Sequence, residues 1–205
     1  MNLEIARRQL SEYILQRIEL SPDEIKVVVE SYELFQVKKK DFFLKEGDNC
    51  KHQGFVVEGT FRVYYNDEKL QEHVLYFGFK DWWVGDVASF NSESPSGINV
   101  QAMEDSWVLG STLEKMENVF RSVPKMERMF RIITQRTLAV LQKRLFLTVS
   151  ATAEERYKEL LNRHQGIEQL VPQHQIASYL GILPESLSRM KKQLIEKQAK
   201  KNNAF

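Results

Sequence analysis

Cys50 is the only cysteine in 205 residues. An intrachain disulfide is therefore impossible, and a cysteine-ligated zinc or iron–sulfur site within one chain is nearly excluded. Long apolar runs are missing as well: none reaches the ~18 residues that a membrane-spanning helix needs. The opening Met-Asn-Leu-Glu-Ile-Ala-Arg-Arg has no apolar stretch behind a basic start, so it does not read as a signal peptide. The expectation is a soluble, cytoplasmic protein with no membrane partner. The arrangements that carry catalysis are absent too. There is no nucleophile–base pair, no metal-ligand spacing and no phosphate-binding glycine loop. His164 and His174 are separated by a glycine break and define no metal geometry. His52 and His73 stand alone, and a lone histidine is more often structural than a haem ligand. Neither enzymatic activity nor a cofactor is expected.

Apolar residues make up 42% of the chain, enough to bury a core and to argue against global disorder. The length suits one domain of ordinary size with a small second one. Net charge is only +1, but it is unevenly spread. From Val171 onward Arg189, Lys191, Lys192, Lys197, Lys200 and Lys201 face only Glu185 and Glu196, leaving the rest of the chain acidic. An acidic body with a basic end suits a protein that presents that end to a polyanion. A solvated helix face would give the same count.

The apolar pattern divides the chain into three stretches. Residues 3–35 are amphipathic at helical spacing, with Ser21-Pro22-Asp23-Glu24 as a helix start, and read as two short helices. From Gln36 to Gly110 the runs shorten and alternate. Strand candidates lie at 41–44, 53–57, 60–65, 73–77, 99–102 and 107–109, separated by turn residues such as Gly47-Asp48, Gly59 and Gly85-Asp86. That spacing predicts a sandwich or barrel. Helical spacing then returns, and a long helix is predicted from about Pro124 to Val149. Its stripe of Met126, Met129, Phe130, Ile133, Val140, Leu141 and Leu145 suits a dimer seam, although Thr137 and Arg144 interrupt the heptads. The same stripe could pack on the chain's own sandwich. Ser150 to Arg156 breaks and restarts a helix, with Thr152 and Glu155 spaced as a capping box. The domain boundary is placed there, giving one unit over 1–149 and a second unit over 150–205. In the aromatic run from Tyr76 to Trp83, Trp82 and Trp83 point to opposite faces if extended, so at most one belongs to the core.

The most informative stretch is 171–194. Ile176, Ala177 and Leu180 form the inner face of a first helix, and Gly181 supplies the positive φ of a tight turn. Pro184 pre-sets the first turn of a second helix, whose Leu187, Met190 and Leu194 face inward. This is a helix-turn-helix pattern. Its outer faces carry Glu185, Ser186, Ser188, Arg189 and Lys192, with Gln173 at the start of the first helix. In a major groove, Arg189 can donate two parallel bonds to guanine and Glu185 can accept from a cytosine amine. The serines can serve bases or phosphates, and Lys191 and Lys192 add phosphate attraction. A helical hairpin in a protein that does not bind DNA is the competing reading of the spacing alone.

Across residues 20–195 the chain resembles the cyclic-AMP receptor protein/fumarate–nitrate reduction regulator (CRP/FNR) superfamily. The resemblance rests on Gly47, Gly59, Gly85-Asp86, Val100-Gln-Ala102, the long helix after Pro124, Glu155-Arg156 and the helix-turn-helix. It implies an α+β chain: an N-terminal cyclic-nucleotide-binding-like jelly roll with flanking helices, a dimerisation helix over about 124–149, and a C-terminal helix-turn-helix domain. It also implies a homodimer that binds near-palindromic double-stranded DNA, with RNA polymerase a candidate further partner. Glu185-x-x-Ser188-Arg189 is similar to the reading set of the FNR-type branch, which recognises half-sites of the TTGA kind. Pro184 stands where the other branch has an arginine. Three departures matter. Ser96 and Gly97 occupy the positions of the Arg-Ser pair that grips the cyclic phosphate, so cyclic AMP is a poor fit. Any effector is unidentified, and Gly85, Asp86, Ser96, Gly97 and Asn99 are its candidate pocket. The cysteine cluster of the oxygen-sensing branch is missing. The polar, basic segment after Lys191 replaces the usual β-hairpin wing, which is expected to be reduced or absent, with Lys197, Lys200 and Lys201 taking over its phosphate contacts. The alternative function is a small-molecule sensor whose helix-turn-helix makes protein contacts.

Overall fold

The computed structural model describes the backbone of residues 1–202 and the side chains of residues 1–197. Two helices open the chain, α1 (Leu3–Leu15) and α2 (Pro22–Glu30). Asn2 caps α1 by accepting the Ile5 N–H at 2.9 Å, and Ser21 and Glu24 form a capping box on α2 with Pro22 in its first turn. Such caps satisfy N–H groups that have no partner inside the helix, and each stabilises by about 1 kcal/mol.

The strand region follows as β1 (Glu33–Val37), β2 (Phe42–Leu44), β3 (Gln53–Glu58), β4 (Phe61–Asn66), β5 (Glu72–Gly78), β6 (Trp83–Val84), helix α3 (Val87–Ser92), β7 (Asn99–Ala102) and β8 (Ser106–Ser111). Among the described residues these form two antiparallel sheets, ordered β1-β8-β3-β6 and β2-β7-β4-β5. The central strand β3 shows why they stack. Its side chains alternate, so Val56 meets Val63, Val100 and Val108 between the sheets. Phe55 and Val57 point the other way, onto Leu10 and Ile14 of α1 and Val28 of α2. Both faces are covered, which is why this strand reads as a continuous apolar run.

The chain ends in helices: α4 (Leu113–Ser122), α5 (Lys125–Ser150), α6 (Ala153–Arg163), α7 (Ile167–Leu170), α8 (Gln173–Leu180) and α9 (Pro184–Asn202). Helix α5 divides into two halves. Met126 and Met129 are buried in the core beneath β3, and Phe130 and Ile133 pack on it. Farther along, Leu138, Leu141, Leu145, Phe146 and Val149 face solvent, the last 83% exposed. Packing on the chain's own sandwich therefore uses only the first half of the stripe, and the second half has no partner among the described residues. Thr152 and Glu155 form the expected capping box at the start of α6.

Some short elements depart from the sequence reading. Residues 33–37 form a strand rather than the end of a helical pattern, because they pair residue for residue with β8. Helix α3 follows the Gly85-Asp86 turn in a segment for which the sequence reading gave no element, and α7 follows the Gly166 break. Trp83 lies in β6 and packs against Phe55 and Phe130, with ring centroids 5.4 and 5.1 Å apart. Trp82 faces the other way, 5.3 Å from the His164 ring at the end of α6.

A third core joins the sandwich to the C-terminal helices. Tyr64, Val74 and Phe77 from β4 and β5 pack with Leu160, Ile176, Ala177 and Leu187. β5 is the edge of its sheet, so its outward backbone groups have no strand partner. Helix α8 supplies one. The Val74 N–H donates to Ser178 Oγ at 3.0 Å, and Ser178 Oγ donates to the Glu72 carbonyl at 2.9 Å. From α5, Arg144 donates to the carbonyls of Leu75 and Val74, and at 3.1 Å to that of Tyr179. Its guanidinium stands 4.2 Å above the Tyr179 ring.

Candidate nucleic-acid interface

Helices α8 and α9 are joined by a turn whose geometry follows from Gly181. Its φ of +67° is the left-handed conformation that closes a helix, and glycine adopts it without the penalty a Cβ would bring. The Gly181 N–H donates to Ser178 O, and the Ile182 N–H reaches back to Ala177 O, both at 3.0 Å. The chain thus leaves α8 and re-enters a helix at Pro184, with the Leu187 N–H bonded to Leu183 O at 3.1 Å. Leu187 is fully buried, and Met190 and Leu194 pack on the same cluster. One face of α9 is thereby fixed inward.

The opposite face presents the residues singled out from the sequence. Glu185, Ser188, Arg189 and Lys192 are exposed, and their spacing of three, four and seven puts them on one stripe. Ser186 is half-buried and lies about 100° round the helix from Glu185, off that stripe. Gln173 is exposed in the first turn of α8, whose N-terminus has no side-chain cap. Lys191 turns back to Glu168 on α7, which also accepts from the Tyr157 hydroxyl at 2.7 Å. Lys197 pairs with Glu154 at 3.3 Å. Both lysines are thus engaged within the protein, whereas Lys192 has no hydrogen-bond or ion-pair partner among the described residues. Among the described residues α9 runs on to Asn202 and no strand follows it. The side chains of Lys200 and Lys201 lie outside the described residues.

The candidate effector residues gather at α3 and the start of β7. Asp86 caps α3, its Oδ1 accepting from the N–H groups of Ala88 and Ser89 at 3.0 and 3.2 Å. Its Oδ2 accepts from the buried Ser96 hydroxyl at 2.8 Å. Asn99, also buried, turns to Glu46 instead: its Oδ1 accepts the Glu46 N–H at 3.0 Å and its Nδ2 donates to Glu46 Oε2 at 3.2 Å. Gly85 has a φ of +148°, and a Cβ there would sit 2.9 Å from Gln53 Oε1. Gly97 is exposed in open space. The structure therefore brings Asp86 and Ser96 into contact, with Gly85 next to them and Asn99 on a separate network. The five residues offer one carboxylate and no cation. Beneath them, burial pushes the Tyr76 hydroxyl up to about 12 and raises the Cys50 thiol. Cys50 is buried, and its Sγ faces the carbonyl of His52 and the N–H of Asp86.

Sequence reasoning did not find Ser178 or the role of Arg144. The one signal for Arg144 was a charge interrupting an apolar stripe, and the structure shows that it points away from the stripe. Among the described residues no group of three His, Cys, Asp or Glu side chains is placed to hold a metal, and no helix is long and apolar enough to cross a membrane.

Residues 34–123 match the family of cyclic nucleotide-binding domains. The transcriptional activator protein Anr of Pseudomonas protegens is 22% identical over 165 residues, which span 75% of this chain and 67% of that protein. Among solved structures, FixK2 from Bradyrhizobium japonicum superposes with a TM-score of 0.69 at 18% identity, over 82% of this chain and 86% of that one. A CooA variant from Carboxydothermus hydrogenoformans gives 0.67 at 18% identity, over 90% and 83%.

Proposed function

We propose that this chain, in which residues 34–123 are a cyclic nucleotide-binding domain and which has the fold of CRP/FNR-superfamily regulators, is a transcription regulator that binds duplex DNA as a homodimer through α8 and α9. The observation that carries this reading is the exposed stripe of Glu185, Ser188, Arg189 and Lys192 on a helix whose other face is locked by Leu187, Met190 and Leu194.

A recognition helix lies in the major groove with its N-terminal residues against base edges. Arg189 then reads guanine by two parallel bonds, Glu185 accepts from cytosine, and Ser188 and Lys192 serve bases or phosphate. Ser186, off the stripe, is assigned to the flanking backbone. Gln173, at an uncapped helix start, is suited to the same role, because free N–H groups there favour an anion. The half-site is of the TGA type. The unpartnered stripe of α5 from Leu138 to Val149 supplies the dimer seam, setting two recognition helices about 34 Å apart on one face of the duplex. An effector other than cyclic AMP would act through the sandwich, with Asp86 and Ser96 at its binding place.

The test is selection of duplex DNA from a random pool by the full-length protein, with Arg189→Ala in parallel. A bidentate arginine–guanine contact is worth about 1–3 kcal/mol of discrimination, so the substitution relaxes the preference at one base of each half-site. Enrichment of a palindrome with TGA-like half-sites, degraded in the variant, supports the reading. Equal binding of the selected site by Arg189→Ala would refute it.

A further inference from the structure

A cavity of about 40 Å³ lies where α5, α6 and α8 meet, just beneath the break at Ala151. Its polar lining is Arg144, Thr148, Arg156, Glu159, Arg163 and Tyr179. The charge there is unbalanced. Arg144, Arg156 and Arg163, with Lys143 beside them, meet a single carboxylate. That carboxylate, Glu159, accepts from Lys143 at 2.5 Å and pairs with Arg163 at 3.4 Å. The other acids of α6 are committed elsewhere: Glu154 to Lys158 and Lys197, Glu155 to Thr152.

Among the described residues, Arg144 and Arg156 have no carboxylate partner. Arg144 donates only to backbone carbonyls. Arg156 donates to the carbonyls of Ala151 at 3.0 Å and Leu180 at 3.1 Å, at the ends of two helices, and leaves its Nε buried without an acceptor. Carbonyls solvate a guanidinium without neutralising it, and a cation withdrawn from water is normally paired. At about 10–15 Å³ per water, the cavity holds roughly three waters, the footprint of a small oxyanion. The planar fork of arginine matches such an ion with two parallel bonds.

We propose that this hinge cavity binds a small oxyanion of the phosphate or sulfate class, held by Arg156 and Arg163 with Arg144 behind them. The site is separate from the Asp86–Ser96 cluster and from the exposed stripe of α9, and it stands whether or not those are assigned correctly. Arg163 is the accessible arm of the site. Glu159 is its internal competitor, because it occupies Arg163 when the cavity holds no anion.

The experiment is a titration of the full-length protein with inorganic phosphate at constant pH and ionic strength, sodium chloride making up the balance. Thermal midpoint and heat of binding are both read. The result expected is a saturable rise of the midpoint above the chloride control. Arg163→Gln weakens the apparent affinity about tenfold, and Glu159→Gln strengthens it by a factor of several. Phosphate also stabilises proteins by exclusion from their surface, an effect blind to these side chains. A rise no larger than with chloride, or one of equal size in wild type and both variants, overturns the proposal. Each substitution is of a partly exposed side chain, and the two act in opposite directions, so impaired folding of one leaves the other decisive.

Discussion

Ser178→Ala deletes one hydroxyl that holds two backbone groups of β5, the N–H of Val74 and the carbonyl of Glu72. No strand can take over, because β5 is the edge of its sheet. Each lost bond costs about 0.5–1.5 kcal/mol net, and more where the abandoned group stays buried. Val74 is only 3% exposed, whereas the Glu72 end is open to water. The N–H therefore dominates, and the total comes to roughly 1–3 kcal/mol. The loss is local, because the remaining contacts of α8 with β5 are apolar. Hydrogen exchange followed residue by residue is the suitable assay. The Val74 amide should exchange about tenfold faster or more in the variant, while amides of β3 keep their protection. An unchanged Val74 rate would show that α8 is not seated on this edge in solution, and the account of the third core would fail with it.

Other perturbations test the helix pair and two half-buried imidazoles. Leu187→Ala removes a fully buried side chain between α8 and α9 and should destabilise by about 2–5 kcal/mol, read by urea denaturation, with DNA binding lost alongside. A cost under about 1 kcal/mol would mean that the turn alone, not Leu187, sets the helix angle. His164, beside Phe79 and Trp82, is held below the usual imidazole pKa by burial and by Arg163; His52 is held low chiefly by burial. The unfolded chain therefore takes up protons first. The associated stability is intact above about pH 6.5 and is lost as the pH falls through that value towards the depressed folded values. The urea midpoint should drop between about pH 7.5 and about pH 5.5, and less steeply in His164→Gln. Equal slopes in the two proteins would show that its surroundings do not depress the His164 imidazole.

What was legible in the sequence is whatever repeats along one element. Ile176, Ala177, Leu180, Gly181 and Leu187 declare the helix pair because their spacing depends only on helix geometry and one turn. The strand candidates are similarly local. The exposed stripe of α9 was legible for the same reason, except that Ser186, Lys191 and Lys197 look alike in sequence to residues that face outward. Only the placement of Glu168 and Glu154 shows where the two lysines go. β1 was hidden because its five residues continue the apolar content of α2, and only pairing with β8 makes them a strand. Contacts distant in sequence were not legible at all. Ser178 is an ordinary polar residue on a short helix, and nothing nearby in the chain announces that its hydroxyl meets Val74. The same holds for Arg144, which reads as a flaw in a dimer seam and proves to tie α5 to β5 and α8.

The covered edge of β5 has a consequence for anyone who divides this protein. A fragment ending near Ser150 keeps Arg144 but loses Ser178 and the whole of α8, so it uncovers an edge strand with free donors and acceptors beside Tyr64 and Phe77. Bare edges of this kind recruit other strands. Assemblies formed by such a fragment would then reflect sheet-to-sheet joining at the cut surface rather than the native arrangement of subunits. By covering this edge, the C-terminal helices remove the free donors and acceptors to which a further strand could add.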